Sequence, residues 1–385
     1  MGFTLQKLIK YIVASSLLFL SGCWDHAELT EYVFVQSLAI DQKKDGRIKL
    51  TTQFYKPAPK IASAGGGGES YFELETEAKS VFDAIRDVTI HLGRKANWGH
   101  VRFIVISEKV ARKQNLGSVL DFFYRDHEPR LLTGVAVTEG TASDYIKIKP
   151  HVENTVSEQL NEVTKTGSKF SAKTYPANLF SIGKQLHSEV DTVYAPFLRK
   201  EKEREKSIFV DGLSIFKGGK LKTIISNKET KSLMMALNDF QYGIIGITCK
   251  GSKLQESFEI TESHTNSSLE IKEGVVHYSL QPKLQASIGE LECSTIETKQ
   301  QLEVLHKKLE KQVNSNMMVL LKQSQKKNID IIGLGNHIYR SNSKEWQRIK
   351  KEKIPYLQDA VFHVESEVNI LNTGTDISKP FHKKY

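Results

Sequence analysis

The chain of 385 residues is longer than one hydrophobic core usually organises, so two or three domains are expected. Its net charge of +9 at pH 7 suits an anionic membrane surface about as well as nucleic acid. The one long apolar run, residues 11–20, is shorter than the roughly 20 residues that a bilayer core requires, which argues against a permanent transmembrane helix.

The N-terminal segment has the pattern of a bacterial lipoprotein signal peptide. Lys7 and Lys10 provide the basic start, the apolar run follows, and Leu20-Ser21-Gly22-Cys23 ends it. Small residues before the cysteine let a peptidase reach the backbone, and the thiol is the nucleophile that takes a diacylglyceryl group. An ordinary signal peptide that happens to end near a cysteine is the alternative.

The predicted organisation of this region is a signal peptide over residues 1–22 and a lipidated tether over residues 23–31. Cys23 is predicted to become an S-diacylglycerol cysteine, to which a further N-acyl chain such as palmitate can be added. Two acyl chains anchor a protein stably, whereas one gives only marginal binding. Loss of Lys7 and Lys10 on cleavage lowers the net charge from +9 to +7. Because the chain is exported, we interpret this charge as adaptation to the membrane surface and predict no nucleic-acid partner.

Residues 32–150 are predicted to form an N-terminal mixed α/β domain. Strands are expected at 32–41 and 47–54, joined in a hairpin by Asp45-Gly46. Apolar residues at spacings of three and four then predict a helix over 78–92. The remaining expected elements are a strand at 101–106, a helix at 116–124 and a strand at 131–138. Such alternation of strands and helices is typical of layered α/β domains.

Residues 151–206 are predicted to be a second small domain or a connecting region. It contains a weak helical segment at 156–163 and a clearer helix at 179–186. Between Arg199 and Lys206 the charge alternates in sign from residue to residue, which indicates a solvated linker.

Residues 207–375 are predicted to form a C-terminal α+β domain, followed by a tail at 376–385. Its expected elements are a hairpin around Gly218-Gly219, strands at 244–248, 258–260 and 275–280, a long helix at about 297–326, and a last strand at 361–371. The apolar stripe of the long helix favours one helix lying on a sheet over a coiled coil. The expected fold class is therefore α+β, with two or three mixed domains whose largely antiparallel sheets are packed by helices.

Two cysteines remain once Cys23 is lipidated. Cys249 and Cys293 could form a disulfide outside the cytoplasm, but two isolated cysteines are more often buried and unpaired. Both alternatives stay open at the level of sequence.

A search for reactive motifs finds few candidates. The sequence has 12 histidines but no His-Glu-x-x-His, Cys-x-x-Cys or Gly-x-Ser-x-Gly pattern. His127-Glu128 precedes Pro129, which would break a metal-binding helix, so a helix end and a turn are predicted there. His100 stands just before a strand, where a structural hydrogen bond is favoured over a role in a cleft. No catalytic, cofactor-binding or metal-binding residue, no cofactor and no enzymatic activity are predicted.

Several short motifs, taken in order, resemble the Ger(x)C family, the lipoprotein C subunits of bacterial spore germinant receptors. Each motif is weakly specific alone, but the ordered set covers nearly the whole mature chain. The motifs are Gly22-Cys23-Trp24-Asp25, Glu28-Leu29, Ile40-Asp41, Trp98-Gly99-His100-Val101, Ile104-Val105-Ile106-Ser107-Glu108, Arg125-Asp126, Glu128-Pro129-Arg130, Val210-Asp211-Gly212-Leu213-Ser214-Ile215-Phe216, Glu229-Thr230, Asp330-Ile331-Ile332-Gly333-Leu334-Gly335, Trp346 and Gly374.

The resemblance implies a multi-domain α+β protein on the outer face of the spore's inner membrane. There it would work beside two integral membrane subunits of one receptor, which together respond to nutrients and trigger germination. Binding of a small-molecule germinant by this subunit is left open, and the family is not known for catalysis or a cofactor. The family often has a second aromatic residue, usually tryptophan, roughly ten residues beyond Trp346. This chain has Ile354-Pro355-Tyr356 there, so different packing is expected.

Two other functions remain alternatives. An extracytoplasmic solute-binding lipoprotein would have two similar lobes with one large ligand cleft between them. A surface hydrolase would bring strongly perturbed acids or histidines together in one pocket.

Overall fold

The computed structural model describes residues 28–56, 71–201 and 207–372, together with residues 7, 9–11 and 15. Cys23, most of the predicted signal peptide and tether, and the predicted tail lie outside the described residues.

A mixed sheet dominates the first part of the chain. Its strands are β1 (Tyr32–Gln42), β2 (Ile48–Tyr55), β3 (Tyr71–Ala78), β4 (Lys95–Asn97), β5 (Phe103–Ser107), β6 (Gly134–Thr138), β7 (Thr192–Lys200), β8 (Ile208–Lys217) and β9 (Lys220–Ile225). The accompanying helices are α1 (Val81–Leu92), α2 (Glu108–Lys113), α3 (Leu116–Arg125), α4 (Ser143–Ile146), α5 (Val156–Ser171) and α6 (Leu179–Leu186).

The strand order of this sheet is β3-β2-β1-β5-β6-β7-β8-β9, and β4 pairs with the start of β1. The predicted hairpins β1–β2 and β8–β9 are antiparallel. In the centre, β1, β5, β6 and β7 run parallel, because the chain between them returns through helices. All residues of β5 and β6 are buried, as expected for strands that are covered on both faces.

A second, smaller sheet organises the rest of the chain. Its strands are β10 (Gly243–Thr248), β11 (Gln255–Lys272), β12 (Val275–Glu290), β13 (Val361–Val364) and β14 (Glu367–Asn372), and its helices are α7 (Asn227–Ala236), α8 (Lys299–Lys327), α9 (Leu334–Ser341) and α10 (Ser343–Glu352). The order is β10-β11-β12-β13, with β14 also pairing with β12. The predicted α+β class is confirmed.

Most predicted elements are confirmed, and four differ in extent. α5 continues to Ser171, well beyond the predicted 163, because its later buried positions are Thr164 and Ser168, which carry no apolar signal. β11 is longer than predicted because its distal half is polar and mostly exposed, and β12 because its buried face continues past Pro282, a residue that argues against a strand. The single predicted strand at 361–371 is divided, since the Glu365 and Ser366 N–H groups bond to Leu280 O and Asn314 Oδ1.

The two sheets meet in one shared hydrophobic cluster, and two further clusters of the described residues belong to the first sheet. Tyr194, Leu213 and Ile215 of β7 and β8 lie in the same buried cluster as the inner faces of β11, β12 and α8. The domain boundaries at 150 and 206 stay a prediction, but the first sheet contains strands from both sides of them.

Cys249 and Cys293 are joined by a disulfide, with their Cα atoms 6.0 Å apart. The bond ties the end of β10 to the segment that follows β12. The sequence left open whether these cysteines are paired or free, and in the structure they are paired.

The long helix α8 packs one apolar stripe against α7, β13 and β14. We predict that Leu309→Ala, at a side chain with 0% exposure, lowers the free energy of unfolding by about 2–5 kcal/mol, because it leaves a cavity. Urea unfolding followed by circular dichroism measures this effect. Val304→Ala is the matched control on the same helix, where the side chain is 53% exposed and a change within about 0.5 kcal/mol is expected. Equal losses in both variants would contradict the packing described here.

Candidate functional site

The motifs that carry the family resemblance form three contact points, two centred on buried acids and one that is partly buried. The first joins Trp98 to Glu128, which are distant in sequence. The backbone N–H of Trp98 donates to Glu128 Oε2 at 2.8 Å, and the Trp98 ring lies edge-on to Phe122 with 5.7 Å between centroids. A Cβ at Gly99 would lie 3.4 Å from the Glu128 carbonyl oxygen, so the two motifs are in direct contact.

His100 lies beside this contact, and the residue is exposed. Its ring packs edge-on against Phe34, with 5.1 Å between centroids. It also lines a cavity of about 300 Å³ together with Arg102 and Arg130. The structure thus places His100 at a shallow surface cavity, with an aromatic contact as its principal interaction.

Asp41 forms the second contact point, at the far end of β1. Its two carboxylate oxygens accept the N–H groups of Ala142 and Ser143 at 2.8 and 2.9 Å. Asp41 is buried, so both oxygens need such partners. The side chain therefore fixes the start of α4 against the end of β1, over a separation of about one hundred residues.

Asp330 forms the third contact point and is 2% exposed. Its oxygens accept the N–H groups of Leu334 and Gly335, both at 2.8 Å, and the Tyr356 hydroxyl at 3.2 Å. Burial raises the pKa of the Asp330 carboxyl above its usual range, and these hydrogen bonds act in the opposite direction.

Trp346 and Tyr356 complete this contact point. Their rings lie edge-on with 5.1 Å between centroids, so Tyr356 packs directly against Trp346. The Trp346 Nε1–H donates to Glu189 Oε2 at 2.7 Å, which links α10 to the segment before β7. A Cβ at Gly335 would lie 2.5 Å from the Trp346 ring, so only glycine fits there.

Two residues of this third contact point, the junction between α10, the α8–α9 turn and the first sheet, were not found from the sequence. Glu189 lies in no motif, and only the structure shows that it accepts the hydrogen bond of the Trp346 indole N–H. Tyr194 is also outside the motifs, yet its hydroxyl donates to the Ile331 carbonyl at 2.7 Å and ties β7 to the turn after α8. Hydrogen bonds between residues more than a hundred positions apart leave no local pattern in a sequence.

These carboxylates act as acceptors for the protein's own donors, which is structural chemistry. Within 28–56, 71–201 and 207–372, no group of three or more His, Cys, Asp and Glu side chains is arranged to hold a metal ion. None of the helices in the described part of the chain has the length and apolar character needed to cross a bilayer.

Comparison with known proteins identifies the class of molecule. Residues 25–200 match the family described as "Spore germination protein N-terminal domain", and residues 211–374 match "Spore germination B3/ GerAC like, C-terminal". These two matches cover most of the chain. The protein therefore belongs to the spore germination B3/GerAC-like family, which confirms the resemblance found in the sequence.

Individual relatives agree with this assignment. The chain is 28% identical over 370 residues to spore germination protein B3 of Bacillus subtilis, covering 93% of this chain and 96% of that protein. It is 24% identical over 394 residues to spore germination protein KC of the same organism, covering 95% and 96%. The crystal structure of the GerBC protein has a similar fold, with a TM-score of 0.60, 23% identity and coverage of 87% of this chain and 97% of that one.

We predict that Asp330→Ala lowers the free energy of unfolding by about 2–4 kcal/mol, because two buried N–H groups and the Tyr356 hydroxyl lose their acceptor. Asp359→Ala, at an exposed acid two residues before β13, serves as the control and should change stability by less than about 0.5 kcal/mol. Urea denaturation followed by tryptophan fluorescence reports both values. A loss at Asp330 no larger than at Asp359 would show that the junction is dispensable.

Proposed function

We propose that this protein is the membrane-anchored lipoprotein subunit of a nutrient germinant receptor, held on the outer face of the spore's inner membrane. In this proposal it is not an enzyme, and it assembles with two integral membrane subunits of the same receptor. The observation that carries the proposal is the family match from residue 25 to residue 374, preceded by the lipoprotein pattern ending at Cys23.

The position of the predicted anchor supports a defined orientation. Glu28, where the first continuously described stretch begins, is five positions beyond Cys23, and five residues reach at most about 18 Å. The start of β1 would therefore lie close to the bilayer surface. A lipid on Cys23 also raises the local concentration of the folded part near membrane partners, as any tether does.

The surface at the start of β1 suits such a location. A cavity of about 580 Å³ there has aromatic walls that include Tyr32, Phe34 and Tyr55, and it also contains Lys56 and Arg94. Aromatic rings are enriched at membrane interfaces, and basic side chains are attracted to anionic lipid headgroups.

The roles of the buried acids support a non-enzymatic protein. The carboxylates of Asp41 and Asp330 accept hydrogen bonds from backbone N–H groups. A carboxylate held in this way is poorly placed to transfer protons to a substrate. The solute-binding alternative called for two similar lobes. The first and second sheets differ in strand number and order, which does not favour it.

The anchor is tested by Cys23→Ala in sporulating cells supplied with radiolabelled palmitate. We predict that the wild-type chain is labelled and sediments with membranes, because only a cysteine thiol accepts the diacylglyceryl group. The variant should be unlabelled, should leave the membrane fraction, and should impair the response of spores to nutrient.

Ser16→Ala, within the apolar run, is the matched control and should preserve labelling, sedimentation and response. An unlabelled wild-type chain, or a Cys23→Ala variant that still sediments with membranes and supports germination, would contradict the proposal.

A further inference from the structure

A polar cleft of about 550 Å³ lies at the end of the first sheet where β1 and β5 finish, opposite to the start of β1. Cavities of this size are typical of small-molecule sites. Two of the sequence motifs, Ile40-Asp41 and the run ending in Ser107-Glu108, contribute residues to it. Its lining residues are Asp41, Gln42, Lys43, Lys49, Ser107, Glu108, Lys109, Arg112, Gly140 and Thr141.

Most charges of the cleft already have partners in the protein. The pairs are Lys43 with Glu77 at 2.6 Å, Lys49 with Glu75 at 2.8 Å, and Arg112 with Glu108 at 2.6 Å. Asp41 accepts two backbone N–H groups, as described above. The acids are therefore occupied, so a cationic ligand would have to displace an existing contact.

Lys109 differs from the other cations of the cleft. Its ammonium donates to the carbonyl oxygens of Gln42 and Lys43, at 2.8 and 3.0 Å, and no carboxylate lies within 4.0 Å of it in the described ranges. Two neutral carbonyls fix the position of the ammonium without cancelling its charge. An ammonium has three donors, so one N–H remains for a ligand.

Ser107 supplies a second donor. It is 2% exposed and directly precedes α2, but its side chain makes no capping hydrogen bond to that helix. Its Oγ, like the Thr138 Oγ1 on the paired residue of β6, has no hydrogen-bond partner in the part of the chain that the structure describes. A buried hydroxyl without a partner is costly, and a ligand that accepted its proton would remove this cost.

We propose that this cleft binds a small molecule through a carboxylate, with the Lys109 ammonium and the Ser107 hydroxyl as donors. One fixed positive charge and two donors match the single charge and two oxygens of a carboxylate. A phosphate dianion would call for more donors and more uncompensated positive charge. This site goes beyond the proposed receptor role and is independent of the lipid on Cys23.

The test uses the full-length protein in dodecyl maltoside micelles and sodium propionate as the probe. Saturation-transfer NMR on the propionate methyl group, titrated to half-saturation, gives an apparent Kd. Propionamide has the same shape without the charge and is expected to bind at least about tenfold more weakly. Lys109→Gln should raise the Kd for propionate about tenfold, and Ser107→Ala should raise it in the same direction.

Lys113→Gln is the matched control, since Lys113 is an exposed cation on the same helix that does not line the cleft. Circular dichroism establishes that each variant folds, and Ser107→Ala carries the test if Lys109→Gln does not fold. The proposal is overturned if propionate does not saturate the protein, if propionamide binds equally well, or if the folded variants bind like the wild type. Displacement of propionate by lower concentrations of inorganic phosphate would overturn the assignment to a carboxylate. None of these results would alter palmitate labelling at Cys23, so failure of this site is distinguishable from failure of the receptor proposal.

Discussion

The buried carboxylate of Asp330 stabilises the junction that connects the second half of the chain to the first sheet. It organises the turn from α8 into α9 by accepting two N–H groups, and it positions Tyr356 against Trp346. Trp346 in turn bonds to Glu189 beside the first sheet. A buried acid without these donors would be strongly unfavourable, so the local fold and the contact between the sheets stabilise each other. The shared hydrophobic core behind this junction makes the two sheets a continuous body.

The motif acids have a structural role in this arrangement, because they accept hydrogen bonds from backbone N–H groups. Asp41 and Glu128 accept backbone N–H groups that lie far away in the sequence. Asp330 accepts two N–H groups from the turn that follows it, and the more distant Tyr356 hydroxyl. In the proposed orientation, the eleven residues of β1 separate its membrane-facing start from the polar cleft at its far end by roughly 35 Å. The cleft would then open away from the bilayer.

Local patterns predicted much of the fold, because they depend on neighbouring residues. The period of the apolar residues located α1, α3, α6 and α8, and turn residues located the hairpins around Gly46 and Gly218-Gly219. The polar half of α5, the extensions of β11 and β12, and the choice between free and bridged Cys249 and Cys293 depend on long-range contacts. The motif residues were identified by resemblance, but the contacts that they make could not be predicted. Neither the use of Asp41 as an acceptor for Ala142 nor the lone hydroxyl of Ser107 leaves a signal in the sequence.

A role as one subunit of a membrane receptor can be tested by purifying the protein from spore membranes in mild detergent through a tag at its C-terminus and identifying the proteins recovered with it. Two integral membrane proteins are expected in amounts comparable to this chain. Recovery of the chain alone, or with the permease of a transporter, would contradict this role.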